Sequence, residues 1–188
     1  MKIYCAPRGE TDGRTAAYAL LQDAFSRNYT GKLPIIEKTP NGKPFFPERP
    51  DVHFSISHSM THVLCALSNH PVGADIEYPR HISNRAIAYF ASPAELSIFK
   101  PLELWVLKES YVKLLGKTLP TVREIKFGKQ GADPCLLGQE TDPRLLFRLY
   151  NMNGCPAAVA TLGVNPPDKI EFVEPYIAAV IASETDPT

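Results

Sequence analysis

Eighteen prolines are spread through the 188 residues. Proline removes a backbone donor and interrupts both helix and sheet interiors, so the chain is expected to build short elements rather than long helices. It shows no sequence repeat and no low-complexity tract. A hydrophobic share of 44% and a charged share of 21% suit one compact domain, or two small halves sharing a core. Basic and acidic residues balance at 20 each, so no global field draws nucleic acid or a membrane surface. A polyanionic ligand would need a local basic cluster. The four cysteines, Cys5, Cys65, Cys135 and Cys155, have no CxxC spacing and read as reduced thiols. The first residues turn polar too soon for a secretory signal, and no apolar run approaches a membrane span. A cytoplasmic location is expected.

Local patterning gives the elements. Lys2–Ala6 reads as a strand. Ala17, Leu20, Leu21 and Ala24 fall on one helical stripe from about Asp12 to Asn28, with Arg14 in the first turn off that stripe. Asn41-Gly42 reads as a turn. Three strands are expected at His53–Ser57, Val63–Ser68 and Val72–Glu77; in the third, Asp75 and Glu77 alternate onto the face opposite Val72, Ala74 and Ile76. Ser92-Pro93-Ala94-Glu95 is a capping box with proline at the first helical position. A second helix is expected from Pro101 to about Leu115, ended by Gly116. Strands are then expected at Arg123–Phe127, Leu145–Tyr150, Ala157–Leu162 and Tyr176–Ala182, before a frayed tail, SETDPT. This order favours an α+β fold with helices on antiparallel sheets, and a boundary near Arg80–Ile87 would divide it into halves 1–83 and 84–188.

The chemistry centres on Asp75-x-Glu77 and, some thirty residues on, Glu109. Two carboxylates on one strand face with a third from a facing helix suit a hard, oxygen-liking cation such as Mg²⁺. Taken alone, alternating acids on a strand are more often a solvated face, and Glu109 with Lys113 is an ordinary i, i+4 surface pair. The run Phe54-Ser55-Ile56-Ser57-His58-Ser59 adds hydroxyls and an imidazole at a strand end, groups that can hydrogen-bond phosphate or ribose oxygens. His58 and His62 have the spacing of a zinc pair, but no cysteine or third histidine stands at suitable spacing. Trp105 and Phe90 are expected to pack around the second helix, and Cys65 to be buried core.

Four ordered blocks, Asn41-Gly42-Lys43-Pro44, Phe54–Ser59, Val72–Glu77 and Trp105–Lys113, resemble the signature of the 4'-phosphopantetheinyl transferases of the larger, surfactin-synthetase-activating type, in the holo-[acyl-carrier-protein] synthase superfamily. The resemblance spans roughly Gly42 to Leu119. It implies two similar α+β halves related by a pseudo-twofold, each a helix on a small antiparallel sheet, with coenzyme A in the cleft between them. It implies that Asp75, Glu77 and Glu109 hold Mg²⁺ (Mn²⁺ as a substitute) against the pyrophosphate, and that Glu109 and Lys113 are catalytic. Arg14, Lys43, Pro44, Ser57, His58 and Lys113 would contact coenzyme A. The partners implied are an acyl, peptidyl or aryl carrier protein and coenzyme A, with the enzyme a monomer. In Gly116-Lys117-Thr118-Leu119, threonine stands where the family usually has a second glycine. Two other classes compete: a non-catalytic coenzyme A or carrier-protein binding module, and an Mg²⁺-dependent phosphodiesterase or nuclease. The nuclease reading leaves the Asn41–Pro44 and Phe54–Ser59 blocks unexplained, and no basic stripe supports a long nucleic-acid substrate.

Overall fold

A computed structural model describes residues 1–117, 122–138 and 142–174. The elements are β1 (Lys2–Pro7), α1 (Gly13–Asn28), β2 (Glu37–Lys38), β3 (Pro44–Phe45), β4 (His53–His58), β5 (His62–Ser68), β6 (Val72–Ile76), α2 (Asn84–Phe90), α3 (Pro93–Leu96), α4 (Pro101–Leu115), β7 (Phe127–Gln130), β8 (Asp133–Leu136), β9 (Leu145–Met152), β10 (Cys155–Leu162) and β11 (Glu171–Phe172). This is a mixed α+β fold of small sheets.

Two sheets form the centre, one in the order β11-β1-β5-β4 and the other in the order β6-β10-β9. Strand alternation explains how they stack. Val63, Cys65 and Leu67 of β5 face α1 and pack with Leu20, Leu21, Ala24 and Phe25. Leu64 and Ala66, pointing the other way, meet Val72, Ala74 and Ile76 of β6 and Ala157 and Val159 of β10. Ala158 and Ala160 of β10 then pack beneath α4, against Leu104 and Leu107. The layers therefore run α1, first sheet, second sheet, α4. Strands covered on both faces have no wet side, which is why β5 and β6 read as nearly continuous apolar runs.

The strands cross between sheets. β6 leaves its sequence neighbours β4 and β5 to pair antiparallel with β10, placing Asp75 opposite Ala158. β11, late in the chain, lies parallel to β1. The edges of the two sheets meet at β4 and β6, where serine hydroxyls replace ladder bonds. Ser55 Oγ accepts from the Ala74 N–H at 2.9 Å, and Ser57 Oγ from the Ile76 N–H at 3.4 Å.

The helices end as their sequences dictate. Asp12 caps α1 by accepting from the N–H groups of Arg14 and Thr15. The capping box at Ser92–Glu95 is formed. Gly116 ends α4 in the left-handed region at φ 62°. One expected strand is corrected. Residues 122–123 form a helical turn and the strand begins only at Phe127, with Val122, three residues before Ile125, buried in the same core from that turn. β7 and β8 make a hairpin that local patterning did not show, as did the short helix α2. The strand expected at Tyr176–Ala182 and the tail after it lie outside the described residues. Among the described residues no helix is long and apolar enough to cross a membrane. All four cysteines are free thiols, Cys65 fully buried among them.

Candidate active site

A cleft of about 470 Å³ opens where the first turns of α1, the end of β4, the 38–44 turn and the end of α4 converge. Arg14 and Tyr18 come from α1, Ser57 and His58 from β4, Lys43 and Pro44 from the turn, and Lys113 and Lys117 from the end of α4, with Asp75 also lining it. Helix and strand periodicity makes this possible. α1 buries the stripe through Leu20 and Leu21 in the sheet, which leaves Arg14 and Tyr18 on the flank toward the cleft.

Gly73 sets the approach of α4 to the strand that carries Asp75. A Cβ at this position would sit 2.9 Å from Leu114 Cα and closer still to the Ser110 carbonyl and the Leu114 nitrogen. Only glycine lets the helix backbone rest on β6. The close approach puts Lys113 Nζ 2.7 Å from Asp75 Oδ1 and 3.0 Å from Ser57 Oγ. Ser57 Oγ in turn donates to Asp75 Oδ1 at 2.7 Å. Gly13 plays a comparable part at the other end, since a Cβ there would lie 2.5 Å from His58 Nδ1. His58 thus rests over the start of α1, beside Arg14.

The carboxylates divide into two kinds. Asp75 Oδ2 and Glu109 Oε1 are buried and have no hydrogen-bond partner. Burial, joined by the charges of Asp75 and Glu77 and opposed by Lys113, pushes the Glu109 carboxyl up to about 7. Glu77 is turned elsewhere. Its Oε2 pairs with Arg80 at 2.8 Å and its Oε1 accepts from the Trp105 indole N–H at 3.0 Å. Burial, then the Asp75 charge, still raise its pKa. Among the described residues no three His, Cys, Asp or Glu side chains are placed to share one metal ion. The donor set nevertheless fits a hard cation. Two unpartnered buried carboxylate oxygens are costly as they stand, and Mg²⁺ commonly uses one or two carboxylates with phosphate and water for the rest.

The expected site residues therefore separate. Arg14, Lys43, Pro44, Ser57, His58, Asp75 and Lys113 all line one cleft. Glu109 lies one helical turn before Lys113, and Glu77 lies just past β6 against Arg80. The Ser57 hydroxyl is already engaged by Asp75, Lys113 and the Ile76 N–H. Lys43 Nζ points inward to main-chain carbonyls. His58 and His62 do not face one another as on a helix. His62 sits across the turn, its Nδ1 2.8 Å from Thr61 Oγ1. Trp105 and Phe90 stack edge to face at 5.0 Å. Tyr18, Lys38 and Lys117 line the cleft without having been singled out from sequence. For Lys117 the signal was its place directly after the helix-ending Gly116. Thr118 and Leu119, where the sequence departs from the usual glycine pattern, lie outside the described residues.

Residues 71–144 match the family model described as the 4'-phosphopantetheinyl transferase superfamily. The chain is similar to 4'-phosphopantetheinyl transferases. It is 41% identical over 95 residues to the transferase gsp of Aneurinibacillus migulanus, covering 44% of this chain and 38% of that protein. It is 40% identical over 112 residues to the transferase Sfp of Bacillus subtilis (strain 168), covering 53% of this chain and 50% of that protein. The transferase psf-1 of Bacillus pumilus matches at 37% over 93 residues, 44% of this chain and 40% of that protein. The matches span half or less of the length of these curated relatives. The matched family segment begins at Pro71, so β6 with Asp75 and α4 with Glu109 and Lys113 all fall within it.

Proposed function

We propose that this chain transfers the 4'-phosphopantetheine group of coenzyme A to a serine of an apo acyl or peptidyl carrier protein, releasing 3',5'-ADP. The observation that carries the reading is the Lys113–Asp75 contact at 2.7 Å in the cleft, beside the unpartnered oxygens of Asp75 and Glu109. A lysine held against Asp75, with Glu109 one helical turn away on the same helix, makes a place for a pyrophosphate and a cation together. The names of the matched relatives support the same chemistry.

In this reaction a carrier serine oxygen forms a bond to the β-phosphorus, and the bond from that phosphorus to the oxygen of 3',5'-ADP breaks. Arg14, Lys117 and His58 line the cleft and would meet the negative charge of coenzyme A. Lys113 would donate to the pyrophosphate as charge moves onto the leaving phosphate. Glu109, whose buried Oε1 has no partner among the described residues, would take the serine proton. Asp75 and Glu109, with Glu77 joining if it leaves Arg80, would hold Mg²⁺, which supplies charge neutralisation to the pyrophosphate oxygens. The reading carries with it a pseudo-twofold relation between halves 1–83 and 84–188, with α1 and α4 on the outer faces of the two sheets and one strand exchanged each way, β6 into the second sheet and β11 into the first. It also carries a cytoplasmic, monomeric enzyme.

The test is mass spectrometry of an apo carrier protein incubated with this chain, coenzyme A and Mg²⁺, beside a Glu109→Gln variant. One phosphopantetheine gained on the carrier serine, and lost with chelator and in the variant, is the expected result. The variant should turn over at least 100-fold more slowly, the usual span for loss of a general base. Coenzyme A binding without transfer to any carrier class would point instead to a binding module, and neither binding nor transfer would overturn the assignment.

A further inference from the structure

We propose that Lys43 is a positioning residue, an internal clamp whose ammonium ties the last turn of α4 to the start of β6 and so sets the Lys113–Asp75 contact. The consequence for turnover rests on the transferase reading; the clamp itself does not.

The end of α4 shows why a clamp belongs there. Lys117 N–H donates to the Val112 carbonyl at 3.1 Å and Gly116 N–H to the Lys113 carbonyl at 3.3 Å, with Gly116 left-handed. That paired pattern serves two carbonyls at a helix end and does not use the one between Lys113 and the terminal residue. That carbonyl belongs to Leu114, and Lys43 Nζ donates to it at 2.7 Å. A cation at a helix C-terminus is also favoured by the aligned peptide dipoles. The same Nζ lies 3.4 Å from the Val72 carbonyl at the start of β6. One ammonium thus bridges the residue after Lys113 and a residue three before Asp75.

The rest of the side chain is built for this inward course. Its stem lies along Gly116, where an added Cβ would sit 3.2 Å from Lys43 Cδ. The turn that carries it is closed on itself: Lys43 N–H donates to Thr39 Oγ1 at 3.1 Å, and Thr39 N–H to the Lys43 carbonyl at 2.9 Å. Burial lowers the Lys43 pKa to about 8, as expected for an ammonium withdrawn from water. An ammonium has three N–H donors. Two are directed at main-chain oxygens, which leaves at most one for a ligand in the cleft. A lysine used chiefly to bind phosphate would present its head to the cleft rather than to main-chain carbonyls.

The experiment compares Lys43→Met, which keeps the stem and removes the ammonium, with Lys43→Arg. It measures coenzyme A affinity by calorimetry, turnover at saturating coenzyme A and carrier protein, and hydrogen exchange across residues 112–117. The expected result for Lys43→Met is turnover at least tenfold lower, coenzyme A affinity within twofold of the parent chain, and faster exchange in the last turn of α4. Lys43→Arg should restore a third or more of the turnover. A tenfold loss of coenzyme A affinity with saturated turnover unchanged would overturn the proposal in favour of a ligand contact. Unchanged turnover and affinity, whatever the melting temperature, would reduce Lys43 to a helix cap and overturn it too. If the parent chain transfers nothing, the transferase reading fails, and exchange rates alone decide the clamp; rates unchanged in Lys43→Met would refute it. Should Lys43→Met not fold, Lys43→Gln carries the same readouts.

Discussion

Glu95 is 2% exposed, yet it is surrounded by donors enough to remain ionised. It accepts from the Ser92 N–H at 2.9 Å, Ser92 Oγ at 2.8 Å and the Phe127 N–H at 3.0 Å, and pairs with Lys108 Nζ at 2.8 Å. Lys108, itself fully buried, also donates to the carbonyl of Phe90. Burial alone would raise the Glu95 pKa; the bonds from Lys108, Ser92 and Phe127 outweigh it and hold the group at about 2. Between the unfolded value of 4.5 and this folded value, the unfolded chain binds more protons. Stability from Glu95 is therefore complete above about pH 5 and is lost as pH falls toward 2. Glu95→Gln is expected to cost about 3 kcal/mol at pH 7, because it leaves the Lys108 charge buried without its counter-ion. The difference from the parent chain should shrink on acidification, read as urea midpoints at pH 7, 5 and 3. A constant difference across that range would show that the carboxylate is not the origin of the stabilisation.

At the scale of elements, the joint between β6 and α4 is decided by the absence of a side chain. The atoms that a Cβ at Gly73 would strike are mainly helix backbone, which cannot rotate away as a side chain can. Gly73→Ala is expected to destabilise the fold by about 3 kcal/mol or more, at the upper end for overpacking, measured by urea denaturation. Full stability in this variant would mean that α4 can ride higher on the sheet. Both elements were legible as sequence, since the Val72–Glu77 alternation and the spacing of Leu104, Leu107, Tyr111, Leu114 and Leu115 are local patterns, although Leu115, expected in the buried stripe, is exposed at the helix end. The stripe through Leu20 and Leu21 and the stops at Asp12 and Gly116 were legible for the same reason. The Arg123–Phe127 run misled because Ile125 and Phe127 have strand spacing, while the fold buries both from a turn and a strand start. Of the expected residues, Arg14, Lys43, Pro44, Ser57, His58, Asp75 and Lys113 line one cleft, all but Arg14 read from the four motif blocks, while Glu77 and Glu109 do not line it. What those blocks did not contain is direction. Nothing local says that the Lys43 ammonium points at Leu114, that Ser57 is saturated by Asp75 and β6, or that Glu77 turns to Arg80 and Trp105. Those outcomes depend on which elements become neighbours.

At the scale of the whole molecule, two sheets are joined edge to edge through hydroxyl groups instead of a continuous ladder. Ser55 Oγ is the partner of the buried Ala74 N–H, so Ser55→Ala strands a donor between the sheets. The expected cost is about 1–3 kcal/mol, visible in the thermal midpoint, and Ser55→Thr, which keeps the hydroxyl, should recover part of it. Equal midpoints for Ser55→Ala and the parent chain would show that the junction is held by apolar packing alone. The crossing of β6 has a consequence for how the chain is made. As the polypeptide leaves the ribosome, residues 72–76 emerge well before their pairing partner at 157–161. For that interval a five-residue segment that is wholly buried in the finished protein has an unclaimed hydrogen-bonding edge. Such distant pairing slows assembly and invites pairing with another nascent chain. The charge of Asp75, which lines the cleft once folding is complete, and the glycine at 73 both discourage such pairing beforehand. A carboxylate that lines the cleft would then serve the chain twice, first as a gatekeeper during synthesis.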